Sequence, residues 1–551
     1  MAKFIDILKK NISENRGKKL YTYYEGYDVI DSVTYSEFDF RVKDFGGYLQ
    51  SLDSKGERAL ILLPSGVDYL TAYFACLFTQ TICIPMNVVD DQSKSEMVKQ
   101  IIENSDAQYI ITSTKYSTNL EYWLGDLVED LMVCYIDDFV KSSFVEEEIC
   151  DEQVAYLQYT SGSTSQAKGV KVTYNNIYAN CLTMKNHFAF SDKDIFTTWL
   201  PFYFDMGLIG SAINTIFNAS SNYFTSSEGF MKSPISWLNA ISIYHGTILI
   251  APNFAYEMCS NIPTEEMNDI DLSSVRLTIN GSELVRYSTL HALAEKMKKY
   301  KLNPLSFNPA YGLAENTLIV SAHYPEKGYQ HVTIDGKNLR NNIIEFSDEG
   351  LDIVSCGAIC EGVEVKIVGL ENNHLLTEDE IGEIWLSGQS VTQGYWNLDE
   401  EISFNNFLPN EDQPYFATGD LGFLHNGFLY VVGRKKDMVI IRGKNFYSQD
   451  IEEIILKNTD NKLKNAIAFA IDINNTEELA IMAELSDNVT DVHEELTSMI
   501  KNIVAMNCKI VPYDIVLYQE EALPRTGSGK IQRQSCKKLY LEYNTTNVKG
   551  N

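Results

Sequence analysis

None of the ten cysteines in this 551-residue chain stands in a Cys-x-x-Cys pair, and none of the eight histidines belongs to a His-Glu-x-x-His motif. The common spacings of zinc sites are therefore missing. Cys356 and Cys360 lie four apart, but no His or Cys cluster completes a ligand set around them. Scattered thiols of this kind fit a reducing cytoplasm, which is the expected location. Also missing is any run of about 18 apolar residues, so stable membrane insertion is not expected. The first ten residues, Met1 to Lys10, interleave charge with apolar side chains and lack the continuous apolar stretch of a secretory signal. There is no internal repeat and no low-complexity tract. Basic residues are scarce: 45 Lys and Arg against 75 Asp and Glu leave a formal charge of −30. Such a chain repels nucleic acid and anionic membrane surfaces, so nucleic acid is not an expected partner.

The length exceeds what one core holds, so several structural units are expected. The densest local signal is Thr160-Ser161-Gly162-Ser163-Thr164-Ser165-Gln166-Ala167-Lys168-Gly169. It follows an apolar, strand-like run from Val154 to Tyr159. Its hydroxyls, backbone N–H groups and one lysine would suit a polyphosphate, and its glycines let the backbone approach one closely. A flexible polar linker would have the same composition. It is not a Walker A loop, because Gly169 rather than Ser or Thr follows Lys168. An anionic ligand on so acidic a chain needs a locally basic site, and Lys168 answers that need.

Residues 59–64 read as a buried strand, Val67 to Phe78 as a helix, and Thr81 to Pro85 and Tyr109 to Thr112 as further strands. Strand and helix signals alternate to about residue 320, which favours α/β layers with parallel sheets. Residues 350–435 look antiparallel, with Asn426-Gly427 as a hairpin turn. Beyond Arg434 the pattern restarts: a strand at Met438 to Ile441, a helix at Gln449 to Lys457, strands within 465–484 and a helix at 488–505. The expected division is 1–435 and 436–551.

Four more segments suit nucleotide chemistry. In Tyr311-Gly312-Leu313-Ala314-Glu315 a carboxylate could hold Mg²⁺ near phosphates, or simply start a helix. In Thr418-Gly419-Asp420 a carboxylate after a tight turn could accept both ribose hydroxyls; a plain turn aspartate looks the same. Gly433-Arg434-Lys435-Lys436-Asp437 places an arginine at the domain junction. Arg525-Thr526-Gly527-Ser528-Gly529-Lys530 is a second Gly/Ser loop ending in lysine.

Taken in order, these five motifs resemble the adenylate-forming superfamily of acyl- and aryl-CoA ligases, luciferases and peptide-synthetase adenylation domains. The resemblance runs from about Thr34 to Lys538. It implies an α/β fold, with a large N-terminal region of two α/β subdomains and a β subdomain, followed by a small mobile α+β domain. It implies ATP as substrate and Mg²⁺. Lys530 would meet the carboxylate and α-phosphate. Thr160, Ser161, Gly162, Ser163, Thr164 and Lys168 would hold the other phosphates. Glu315 with Thr164 would hold Mg²⁺, and Asp420 and Arg434 the ribose. Gly281, Ser282, Glu283, Tyr311 and Gly312 would line the adenine slot, and Lys436 would be the hinge.

Within the superfamily the chain looks most like a fatty acyl-AMP ligase. The strings that carry this are Trp199-Leu200-Pro201 with Asp205-Met206-Gly207-Leu208-Ile209-Gly210, Pro252 to Cys259, Asp271 to Arg276, Asn280 to Glu283, Val354 to Gly357, and Gly443-Lys444-Asn445 with Gln449 to Glu452. A long spacer at 322–353 matches the family's insertion, which is thought to restrict the rearrangement that CoA needs. Phe204, Asp205, Met206, Gly207, Ile209 and Gly210 would lie at the acyl pocket. Phe204 stands where the family usually has His, and Phe204-Asp205 is also similar to domains whose aspartate holds an amino acid's ammonium. Ser165 and Ala167 replace the common Gly and Pro, and Ser448 a frequent Pro.

The resemblance implies activation of a fatty acid as its adenylate, then transfer to the phosphopantetheine thiol of an acyl carrier protein or a polyketide or peptide synthase carrier domain. An acyl-CoA ligase and an amino-acid-activating enzyme remain the alternatives. Residues 522–540 carry Arg525, Lys530, Arg533, Lys537 and Lys538 with no acid, and 430–470 have eight basic residues against five acidic. A local basic face of this kind would orient an acidic carrier.

Overall fold

The computed structural model describes residues 3–160, 168–340, 342–371, 373–398, 403–409, 411–441, 444–473, 476–486, 493–519, 522–525 and 529–548. The chain divides into two compact units. The first is Met1–Gln330, Cys356–Val365 and Leu386–Phe416, and the second is His331–Ser355, Lys366–Trp385 and Ala417–Asn551.

The first unit holds two sheets. One runs Met132–Tyr135, Tyr109–Thr112, Arg58–Leu62, Ile82–Met86, Val154–Thr160, Lys168–Thr173, parallel except for the last pair. The other runs Ile319–Ala322, Phe307–Gly312, Leu277–Gly281, Ile248–Pro252, Ile195–Thr198, Ser221–Phe224, Lys19–Glu25, Asp28–Thr34, parallel in its middle and antiparallel at both ends. The alternation of apolar strands with helices accounts for this: parallel neighbours need crossovers, and helices supply them. Every residue of helix Val67–Thr79 except Asp68 is buried. Its residues Tyr69, Tyr73 and Phe74 join Phe38, Tyr156, Phe202 and Ile209 in the main core. Helix Tyr35–Ser51 starts at a capping box in which the Thr34 hydroxyl accepts the Glu37 N–H and Glu37 accepts the Thr34 N–H.

In the second unit, Phe416–His425 and Phe428–Arg434 form the expected hairpin. Asn426 and Gly427 both have positive φ, 50° and 76°, as a tight two-residue turn requires. The spacer residues form a strand, His331–Ile334, paired antiparallel to Leu351–Val354, and a short helix, Gly336–Leu339. Strand Met438–Ile441 pairs with Lys444–Tyr447. A three-stranded sheet of Leu463–Ile473, Thr476–Leu485 and Asp514–Tyr518 packs with helices Ser448–Lys457 and His493–Cys508 around Val439, Ile455, Ile481, Ile500 and Val504. All ten cysteines are unpaired, and only Cys150 is exposed. Among the described residues, no helix is long and apolar enough to cross a membrane.

Candidate active site

The strand ending at Thr160 and the strand starting at Lys168 are antiparallel partners, with Thr160 opposite Lys168. These two residues close the base of the hydroxyl-rich loop. Ser161, Gly162, Ser163 and Thr164 lie outside the described residues. The Lys168 ammonium lies 5.0 Å from the centroid of the Tyr395 ring.

Glu315 sits in a single 3₁₀ turn, Ala314–Asn316, just beyond the strand Phe307–Gly312. The turn doubles back so tightly that a Cβ on Gly312 would lie 2.0 Å from the Leu318 carbonyl oxygen, so only glycine fits there. The Glu315 carboxylate accepts the Tyr395 hydroxyl at 2.8 Å. Lys168 and Glu315 thus meet at one side chain that the sequence reading did not single out. The string Gly394-Tyr395-Trp396 was its only trace.

Gly281 ends one strand and Tyr311 is the last residue but one of its parallel neighbour, the two pairing at Asn280 and Pro309. The carboxyl ends of parallel strands are where α/β sheets take ligands. Ser282 has φ of 69°. Glu283 accepts the N–H of Phe254 at 2.7 Å, in the first turn of helix Asn253–Asn261. A carboxylate is stabilised at that end of a helix. The Arg286 N–H donates to the Asn253 side chain, so the Pro252 to Cys259 and Asn280 to Glu283 strings hold each other.

The string expected at the acyl pocket folds as a short helix, Asp205–Gly207, continuing as a π-helical turn, Leu208–Ile213. Met206, Gly207, Ile209 and Gly210 are buried; Phe204 and Asp205 are half-buried. A Cβ on Gly207 would lie 2.2 Å from the Pro201 carbonyl oxygen, so its smallness serves that approach. Asp205 Oδ1 accepts the Met206 N–H at 2.7 Å.

In the second unit, Asp420 and Arg434 face each other across the hairpin. Arg434 Nε lies 3.0 Å from Asp420 Oδ1, with the carboxylate buried and the guanidinium half exposed. Lys436 sits in the turn Lys435–Asp437, between two strands. Lys530 follows Gly529, whose carbonyl accepts Arg525 Nη1 at 3.3 Å. The basic run at 522–540 is not a uniform face. Arg525 is paired with the buried Glu484, and Arg533 with Glu452 and Asp437, so these charges are spent inside the unit.

The AMP-binding enzyme family matches residues 8–396. The medium-chain-fatty-acid–[acyl-carrier-protein] ligase JamA of Moorena producens is 32% identical, over 98% of this chain and 95% of its own length. A fatty acyl-adenylate ligase of L. pneumophila, solved with acyl adenylate and pyrophosphate, matches with a TM-score of 0.77 at 30% identity, covering 98% of this chain and 96% of that one. A structure from work on the fatty acyl-adenylate ligases of E. coli and L. pneumophila matches with a TM-score of 0.89 at 26% identity, covering 99% and 98%. The chain belongs to the AMP-binding, adenylate-forming enzymes, and within them to the fatty acyl-AMP ligases.

Proposed function

We propose that this enzyme joins a fatty acid to AMP from ATP, releasing pyrophosphate, and then passes the acyl group to the phosphopantetheine thiol of a carrier protein in the cytoplasm. The observation that carries this reading is the full-length similarity to a ligase named for an acyl carrier protein. A carboxylate is a poor acyl donor because oxide is a poor leaving group, and the mixed anhydride with AMP cures that. The carboxylate is itself the nucleophile, so the first step needs placement and charge stabilisation rather than a general base.

In this reading Lys530 neutralises charge between the carboxylate and the α-phosphate. Lys168, Thr160 and the loop residues Ser161, Gly162, Ser163 and Thr164 hold the outer phosphates. Asp420 accepts from the ribose hydroxyls while Arg434 fixes its orientation, and Gly281, Ser282, Tyr311 and Gly312 flank the base. The residues present fit Mg²⁺. Glu315 Oε1 takes the Tyr395 hydroxyl, which leaves Oε2 for a cation. Among the described residues no three His, Cys, Asp or Glu gather into a metal cage. Magnesium characteristically takes one or two carboxylates plus substrate phosphates and water. When bound it would offset phosphate charge.

The second step favours a carrier over CoA on one further observation. Arg340, in the inserted segment, donates to the carbonyls of Cys508 and Asn507 at 3.1 and 2.9 Å and lies 5.2 Å from the Phe446 ring centroid. The insertion thereby holds the end of helix His493–Cys508 and the strand Lys444–Tyr447 within the second unit. The hinge at Lys436 and the boundary between 435 and 436 belong to this same reading.

ATP–pyrophosphate exchange across fatty and amino acids, followed by mass analysis of a holo-carrier protein and of CoA, tests the proposal. Fatty-acid-dependent exchange with acyl-carrier as the main product is expected. Amino-acid-dependent exchange, or acyl-CoA as the main product, would overturn it.

A further inference from the structure

The segment Ser390 to Trp396 carries none of the residues assigned above to hold ATP or Mg²⁺, yet it joins the two elements that carry Glu315 and Lys168. At one end, Ser390 Oγ donates to Asn316 Oδ1 at 2.9 Å and the Thr317 hydroxyl donates to the Ser390 carbonyl at 2.8 Å. The Thr392 N–H donates to the Glu315 carbonyl at 2.8 Å. At the other end, the Lys171 N–H donates to the Gly394 carbonyl at 3.0 Å and the Trp396 N–H to the Gly169 carbonyl at 2.7 Å. These bonds form an antiparallel bridge centred on Val170 and Tyr395. Tyr395 stands between the two ends. Its hydroxyl is 2.8 Å from Glu315 Oε1 and its ring centroid 5.0 Å from the Lys168 ammonium. Phe404 packs edge-on against the same ring at 5.2 Å.

We propose that Tyr395 is a positioning residue for MgATP: its hydroxyl aims the Glu315 carboxylate at the cation, and its ring holds Lys168 at the loop base until polyphosphate takes that charge. The inference rests on the assignment of Glu315 and Lys168 made above. A cation held by one protein carboxylate has no second carboxylate to correct a misdirected one, so the hydrogen bond that fixes the carboxylate bears directly on the affinity. The ring's negative face attracts the ammonium, but a polyphosphate attracts it more, so the lysine is parked and not trapped.

The test uses the full-length enzyme, a non-hydrolysable ATP analogue and Mn²⁺ as probe, with free Mn²⁺ read by electron paramagnetic resonance. Tyr395→Phe keeps the ring and its packing and removes only the hydroxyl. It is expected to weaken Mn²⁺ binding to the enzyme–analogue complex about tenfold, because it deletes one hydrogen bond to a charged group. Metal-free binding of the analogue should be unchanged. Tyr395→Leu removes both contacts, and metal-free analogue affinity should also change, by about threefold. The Mg²⁺ concentration that half-activates pyrophosphate exchange should shift with the Mn²⁺ affinity, while the KM for the fatty acid stays put. If Tyr395→Phe binds Mn²⁺ like wild type while Glu315→Gln binds it poorly, Tyr395 is packing alone and the inference is overturned. If Glu315→Gln itself binds Mn²⁺ like wild type, the assignment of Glu315 fails first and takes the inference with it.

Discussion

Arg525 Nη2 lies 2.6 Å from Glu484 Oε2, and Glu484 is fully buried. The same carboxylate accepts the Leu523 N–H at 2.9 Å and the Asn465 side chain at 2.8 Å. Arg525 also reaches the Gly529 carbonyl, one residue before Lys530. A buried anion therefore pins the stem of the segment that carries Lys530. It is strand Thr476–Leu485, not the tail's own composition, that decides where Lys530 starts.

This relationship gives a paired expectation. Lys530→Ala should slow adenylate formation about 10²–10³-fold, the usual cost of one donor aimed at developing charge. Its ATP affinity should change little. Glu484→Gln leaves Lys530 in place but loosens its stem, and should slow exchange about tenfold through kcat with the KM for ATP held. Pyrophosphate exchange measured beside ATP calorimetry checks both. A Lys530→Ala rate within about threefold of wild type would remove Lys530 from the chemistry.

Arg340 gives the second expectation. A cation at the C-terminal end of helix His493–Cys508 satisfies carbonyls that the helix leaves open. Arg340→Ala deletes those two bonds. With a net loss of about 1 kcal/mol, the population in which residues 436–551 have swung on the Lys436 hinge should rise about fivefold. Acyl-CoA formation should rise by a similar factor while fatty-acid-dependent exchange is unaffected. Mass analysis of CoA products is the readout. An unchanged CoA yield would show that the insertion does not limit acceptor choice through this contact.

The third expectation concerns acid. Asp194 is bound by Arg276 at 2.7 and 2.8 Å and also accepts the Ser191 N–H and the Thr247 hydroxyl. Burial disfavours its charge, but the Arg276 hydrogen bonds and charge outweigh burial and hold the carboxyl below the usual carboxylate range. A depressed folded value means that the stability is present above the unfolded pKa of about 3.9 and is lost as pH falls through the folded one. Asp194→Asn should cost about 3 kcal/mol at neutral pH, since it strands a partly buried guanidinium. It should also flatten the fall of stability below about pH 4. Urea unfolding of the full-length chain at several pH values measures this. An equal loss for wild type and variant across the acid range would show that Asp194 does not carry the effect.

Local chemistry was legible in the sequence wherever it acts through neighbours. Asn426-Gly427 announced its hairpin because few other pairs accept two positive φ values, and Val67–Thr79 was readable from its apolar run. Asp420 and Arg434 were picked separately, and the hairpin register made them partners. Tyr395 was missed because its role depends on a bridge to Val170, far away in the chain, which no periodicity reports. Counting charges along 522–540 misled for a related reason. A count cannot tell that Arg533 is held by both oxygens of Glu452, at 2.6 and 2.8 Å, or that Arg525 serves Glu484. The Asp271 to Arg276 string carries only a family likeness in the sequence, and in the fold its arginine closes on Asp194.

Asp205 supplies the last expectation, because an acyl pocket and an amino-acid pocket ask different things of its charge. In the second kind, an aspartate here exists to hold an ammonium, and its loss ends activity. Here Asp205 Oδ1 accepts the Met206 N–H at 2.7 Å, in the first turn of the segment that runs into the π-helical Leu208–Ile213. Backbone N–H groups at a helix start stabilise a carboxylate without any ligand. Asp205→Asn keeps an oxygen able to accept that bond and removes only the charge. Exchange driven by fatty acids should then stay within about threefold of wild type, because the charge is worth only a fraction of a kcal/mol to about 1 at a helix start. Phe204→His should shift chain-length preference without abolishing exchange, since the Phe204 backbone, not its ring, receives the Leu208 N–H. A loss of about a hundredfold in Asp205→Asn would mean that the carboxylate binds a cationic group on the substrate, because charge-assisted bonds to a ligand cost that much when one partner goes.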